Sequence, residues 1–155
     1  CRRIAFLRGP ETEEDSRWRE LGYRDALEAH GIPYDPALVG YGGFDERIAY
    51  NTVSGWLANG IAFDAVFTGD DEAAPGVLSA LREAELSVPG DVAVIGFDDD
   101  YVASRLVPAL TTVHSPIEQV GRVAVHELLR LIDGHPAQSQ VLPVELVVRQ
   151  SCGCQ

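Results

Sequence analysis

Three consecutive carboxylates, Asp98, Asp99 and Asp100, follow the stretch Val92-Ala93-Val94-Ile95-Gly96-Phe97. A β-branched apolar run of that kind suits a strand buried on both faces. In an open parallel sheet, ligands sit in the crevice beyond the carboxyl ends of the strands. A carboxylate there accepts hydrogen bonds from ligand hydroxyls, or it contributes to a divalent-cation site. Asp98 is the member placed for ligand work. Asp100 is read as the cap of a short helix, Tyr101–Leu106, and Asp99 as a solvated neighbour. A second acidic group, Asp70-Asp71-Glu72, follows another apolar run, Ala65–Thr68. No nucleophile, general base or phosphate loop accompanies either cluster, so a Mg²⁺ enzyme is a poor fit and no catalytic residue is assigned.

Those carboxylates need strands and helices to position them, and the chain alternates the two. The strand candidates are Ile4–Leu7, Leu38–Tyr41, Ala65–Thr68, Val92–Ile95, Leu110–Val113 and Val141–Val148. A first helix runs from a capping box, Thr12 with Asp15, to about His30, with Trp18, Leu21, Ala26 and Leu27 as its apolar positions and Gly31 as its stop. Asp45 can cap a second helix carrying Ile48, Val53 and Leu57, ended by Gly60. The third holds Val77, Leu78 and Leu81. Pro75 lacks a donor N–H, so regular helix begins close to it or the first turn is irregular. Ser115-Pro116-Ile117-Glu118 is the cleanest helix start, with serine at the cap, proline first and glutamate third. Ile117, Val120, Ala124, Leu128 and Leu131 then form a stripe that Val125 and Ile132 widen. The order predicts an α/β fold, a parallel sheet with helices on both faces.

Composition narrows the function classes. The chain has 155 residues with 46% apolar content, enough for one domain with a real core. Twelve basic residues against twenty-four acidic give a formal charge of −12. A phosphate backbone demands a basic face, so direct nucleic-acid binding by this segment is not expected. No apolar run approaches membrane-spanning length and no signal-peptide pattern opens the chain. Cys1, Cys152 and Cys154 make no disulfide framework, which points to a reducing compartment, and the CxC pair is a weak metal signal. Because the first residue is Cys1, the chain is expected to be a piece of a longer protein.

The runs DAVFTGDDEAAPGVLSALREAELSVPGDVAVIGFDDD, PALTTVHSPIEQVGRVAVHELLRLIDG and LPVELVVRQSCGC resemble, in order and spacing, the effector-binding core of the lactose-repressor family. That family shares its core with the periplasmic sugar-binding proteins. The resemblance implies a type I periplasmic-binding-protein-like fold, mainly its C-terminal subdomain. It assigns about 1–109 and 136–155 to the second subdomain and about 110–135 to the first. The helix-turn-helix headpiece and most of the first subdomain would lie outside this chain. It further implies a cytoplasmic, homodimeric regulator that needs no cofactor or metal. Such a protein binds a small sugar-like effector between its subdomains and reaches DNA only through the headpiece. A sensor module of a signalling fusion, or a transport sugar-binding protein, is the alternative.

Site residues follow from the resemblance by position. Arg19 occupies the place of an effector-facing arginine, whose planar donors suit hydroxyls or a phosphate. An ordinary ion pair with Glu20 or Asp15 is the competing reading. Phe44 lies where an aromatic ring stacks on a sugar, or else anchors its loop. Asp98 matches the first aspartate of the GFDD element. Asp70 replaces the asparagine usual in its loop, and an ionised aspartate offers acceptors only. Two pocket carboxylates would repel one another unless Arg19, a cationic ligand group or a proton offsets them. Finally, the helix Pro116–Asp133 is expected not to stand alone in water. It should fold back onto the sheet or pack against a second copy.

Overall fold

The computed structural model describes residues 1–154. Six strands form one sheet: β1 (Ile4–Arg8), β2 (Val39–Tyr41), β3 (Ala65–Thr68), β4 (Ala93–Asp98), β5 (Thr111–His114) and β6 (Glu145–Val147), in the order β2-β1-β3-β4-β5-β6. The first five run parallel, and β6 pairs antiparallel with β5. The last strand is therefore an antiparallel edge of three residues rather than the full stretch Val141–Val148. A single antiparallel edge on an otherwise parallel sheet is a common arrangement.

The strand period of two divides the core. Ala5 and Leu7 of β1 face one side with Val66 and Val94, where α2 (Glu46–Ala58) and α3 (Ala74–Glu83) supply Val53, Trp56, Val77 and Leu81. Phe6 faces the other side with Tyr23 and Leu27 of α1 (Glu14–Ala29). Tyr23 stacks on Phe6 at 5.1 Å between ring centroids and donates its hydroxyl to the Ile4 carbonyl. The buried line of α1 is thus Ser16, Tyr23 and Leu27. Trp18 is 62% exposed, and Leu21 and Ala26 also face outward, so three of the four expected core positions lie outside the core.

The helix starts differ from expectation in instructive ways. Asp45 caps α2 by accepting from the Ile48 N–H at 2.8 Å. No side chain caps α1, whose first residue is Glu14, so the Thr12–Asp15 box does not form. Ser115 does not cap α4 (Ile117–Ile132) either; its carbonyl accepts from the Ile117 N–H at 2.8 Å, and Pro116 takes the cap position with no side-chain bond. In α3, regular helix begins at Ala74 with Pro75 in the first turn, so of the two arrangements proline allows, helix starting close to Pro75 is the one adopted. Residues 101–106 form successive turns rather than a helix.

α4 leaves the sheet. β5, at the start of the 110–135 segment, pairs with β4, whereas the apolar stripe of α4 faces solvent, from Val120 at 47% exposed to Ile132 at 71%. It does not fold back onto this chain's own sheet. Its one buried residue is Glu127, which accepts from the Gln138 N–H and the Gln140 amide of the following loop.

Candidate functional site

The carboxyl ends of the parallel strands converge near the point where β2 and β3 lie on opposite sides of β1. A strand-order reversal of this kind opens a crevice. Gly9 follows β1, Phe44 follows β2, Gly69 follows β3, and Asp98 closes β4. Arg19 projects into this group from α1.

Arg19 is the centre of the arrangement. One of its terminal nitrogens donates to the Gly69 carbonyl at 2.5 Å and the other to Asp98 Oδ1 at 3.0 Å. Its guanidinium carbon lies 4.2 Å from the Phe97 ring centroid and 5.4 Å from that of Phe44. Two aromatic faces and two oxygen acceptors therefore fix a charge whose side chain is only 13% exposed. Neither Glu20 nor Asp15 holds Arg19; Glu20 pairs with Arg24.

Phe44 is wedged rather than free. A Cβ added to Gly9 would overlap the Phe44 ring, so the ring fills space that only glycine leaves open. Phe44 itself sits at φ 55°, a conformation rare for bulky residues. Loop anchoring and presentation of a ring face to Arg19 are here one and the same contact.

Asp98 and Asp70 are both carboxylates in low-dielectric surroundings. Burial pushes Asp98 up, and the ion pair with Arg19 opposes that rise. Asp70, 7% exposed, is pushed up to about 6, first by burial, with Glu72 and Asp98 adding repulsion. Opposing the rise are the Ala73 N–H, donating to Asp70 Oδ1 at 3.1 Å, and Arg19. One Asp70 oxygen is thus turned back onto its own chain, three residues on, while the group still feels Arg19 and Asp98. The structure brings Arg19, Phe44 and Asp98 into one cluster and sets Asp70 beside it.

Two carboxylates outside the expected set are tightly built in. Asp71 is fully buried: Oδ1 accepts from the Thr112 hydroxyl at 2.6 Å and Oδ2 from the Asp100 N–H at 2.8 Å. Burial raises its pKa, and those two donors counter the rise. It also lies over Gly96, where a Cβ would collide with the carboxylate. Asp99 was expected to be solvated, but it pairs with Arg149 at 2.6 Å and with His114 at 3.1 Å. Asp100 accepts from the Tyr101 N–H at 2.7 Å and caps a turn, since no helix follows.

Two cavities flank the Arg19–Asp98 pair. One of about 680 Å³, lined by Trp18, Arg19, Tyr23, Phe67 and Phe97, is strongly apolar. The other, about 870 Å³, is lined by Asp98, Asp99, His114, Ser115, Gln119 and Arg122 and is the more polar of the two. Such a pairing can hold a polar ligand with one apolar face. Among the described residues, no group of three or more His, Cys, Asp or Glu is placed to hold a metal ion, and no helix is long and apolar enough to cross a membrane.

Residues 1–152 match the model of the periplasmic binding protein-like domain. The chain belongs to that family. Its curated relatives include the ribose operon repressor of Escherichia coli K12, 36% identical over 148 residues, covering 96% of this chain and 45% of the relative. The regulator CelR of Thermobifida fusca is 38% identical over 152 residues, covering 97% and 45%. This chain therefore spans less than half the length of the curated relatives it matches. Among solved structures, a CelR–cellobiose complex superposes with TM-score 0.89 at 38% identity over 97% of this chain and 46% of that one. A LacI-family sugar-binding regulator from Escherichia coli in complex with phosphate gives 0.91 at 33% identity over 97% and 54%. Within the periplasmic binding protein-like domain family, these neighbours are transcriptional regulators of the lactose-repressor type. The fold, mainly parallel α/β, is the one that family carries.

Proposed function

We propose that this chain is the effector-sensing part of a lactose-repressor-type transcriptional regulator, and that its effector is a small polyhydroxylated sugar. The supporting observation is the Arg19–Asp98 pair, held at 3.0 Å between Phe97 and Phe44 at the carboxyl ends of the strands. Arg19 has spent two donors on the protein, so the second Asp98 oxygen and the remaining guanidinium N–H groups face the ligand. Together they read adjacent hydroxyls, one as acceptor and one as donor. The Phe44 and Phe97 rings suit the apolar face of a sugar ring. Asp70 adds a further acceptor when ionised and a donor when protonated. The ribose and cellobiose named for two relatives are the first candidates.

On this reading the chain has no catalytic role and works in the cytoplasm as part of a homodimer. Residues of about 1–109 and 136–155 form the second subdomain, and about 110–135 the first. The exposed stripe of α4 fits packing against the remainder of that first subdomain. DNA contact falls to a helix-turn-helix headpiece, because this chain carries twelve more acidic than basic residues.

A thermal-shift screen of the intact protein tests the proposal. Sugars, sugar phosphates, nucleosides and amines are each added at saturating concentration, since a ligand of the folded state raises the melting temperature. A rise with a neutral sugar supports the reading. A rise only with nucleosides or amines contradicts it.

A further inference from the structure

Asp98 carries a backbone conformation that residues with side chains rarely adopt. Its φ is 105° and that of Asp99 is 56°, so two successive residues with side chains occupy left-handed φ space. Conformations of this kind persist only where their surroundings over-determine them. The surroundings of Asp99 do so. Arg149 meets its Oδ1 at 2.6 Å and His114 approaches its Oδ2 at 3.1 Å. Its N–H points at the Thr112 hydroxyl oxygen at 3.4 Å. Arg149 is itself anchored, donating a second guanidinium N–H to the Leu110 carbonyl and its backbone N–H to the Thr111 hydroxyl. Asp99 is thus clamped between the end of β5 and the segment after β6, while its neighbour Asp98 reaches Arg19 on α1.

We infer that Asp99 is a positioning residue: through its ion pair with Arg149 it fixes the backbone of Asp98 so that the Asp98 carboxylate meets Arg19 in the effector crevice. This deepens the proposed function and rests on it only for the sugar. The geometry also ties the Asp99 carboxylate to β5 and the post-β6 segment, so a ligand that shifts the adjoining Asp98 is felt by both.

The experiment follows the Arg19 side-chain N–H resonances of the intact protein by NMR, with and without ribose and cellobiose. Stacking on Phe97 and bonding to Asp98 give those protons shifted, slowly exchanging signals. Asp99→Ala and Arg149→Gln are each expected to move the Arg19 signals toward those of a free guanidinium. Asp99→Asn, which tolerates left-handed φ and keeps an acceptor, should restore most of the shift. Arg149→Lys serves the same purpose if either harsher variant does not fold. Glu83→Gln, remote on α3, should change nothing. Sugar affinity should fall about tenfold or more in the two disruptive variants. Unmoved Arg19 signals in folded Asp99 and Arg149 variants overturn the inference, because Asp99 then only packs. A loss of affinity with unmoved signals also overturns it, since Asp99 would then touch the ligand itself. Moved signals in a protein that takes up neither sugar leave the positioning role standing and count against the sugar-sensing reading.

Discussion

The Thr112 hydroxyl donates to the Asp71 carboxylate at 2.6 Å, joining the loop after β3 to the middle of β5, forty-one residues further along the chain. Both side chains are fully buried. The same carboxylate holds the Asp100 N–H, so the acidic loop after β4 is braced from beneath by the acidic loop after β3. A buried carboxylate that loses a donor retains its desolvation penalty. Thr112→Val keeps the shape and removes the hydroxyl. It is expected to destabilise the fold by about 1–3 kcal/mol, read as an earlier midpoint in urea unfolding with an unchanged slope. An unchanged midpoint would show that water replaces the hydroxyl without loss.

Asp70 makes stability depend on pH in a stated direction. Its folded pKa, pushed up to about 6, lies above the ordinary carboxylate value, so the native state binds this proton more tightly than the unfolded chain. The Asp70 contribution therefore falls as pH rises from about 4 to about 6 and stays constant above that. Asp70→Asn keeps the acceptor for the Ala73 N–H and removes the charge. At pH 7.5 the variant should be more stable than the parent by up to about 3 kcal/mol, with the difference vanishing near pH 4. Paired thermal melts across that range test the sign. The same variant should bind a neutral sugar more tightly, and unchanged selectivity would mean that Asp70 acts only on its own loop.

How much of this was readable beforehand varies by residue. The five parallel strands were, because buried strands leave short apolar runs between turn residues, whereas the last, expected over Val141–Val148, is only the antiparallel edge Glu145–Val147. The four long helices were readable too, whereas burial was not, and the short helix expected over Tyr101–Leu106 is a run of turns. The stripe on α4 is as clean as any in the chain and yet faces solvent, since periodicity defines a face without saying what covers it. In α1 the large residues Trp18 and Leu21 misled, and Tyr23 was passed over because a tyrosine looks amphipathic until its hydroxyl finds the Ile4 carbonyl. Arg19 and Asp98 stand seventy-nine residues apart, and no local spacing could join them; only a family resemblance paired them. Asp99 was missed because three adjacent aspartates look alike in sequence, and the left-handed backbone that separates their roles leaves no mark there.

Gly9 offers a steric test of the aromatic wedge. A methyl group at this position collides with the Phe44 ring. Gly9→Ala should displace the ring and cost about 1–3 kcal/mol, as overpacking does. The double variant Gly9→Ala/Phe44→Leu should recover much of that loss. Calorimetric melting of the two proteins distinguishes this from a purely backbone effect of replacing glycine, which the second change would not repair.

The uncovered stripe of α4 bears on solution behaviour. Ile117, Leu128, Leu129, Leu131 and Ile132 are each more than half exposed on this one helix, and clustered exposed apolar side chains mark an interaction surface. The isolated chain should self-associate at micromolar concentration, and Leu128→Glu/Ile132→Glu should return it to monomer. Sedimentation equilibrium checks this. A parent chain that stays monomeric with the helix intact would contradict it.

The central claim is that the Arg19–Asp98 pair reads a sugar. Isothermal titration of the intact protein with the sugar that most raises its melting temperature, repeated on Asp98→Ala, measures this directly. The account predicts that heat of binding vanishes in the variant, or that affinity drops by at least about a hundredfold, while the thermal midpoint without sugar moves by only a few degrees. Equal affinity in parent and variant, with both folded, would contradict it.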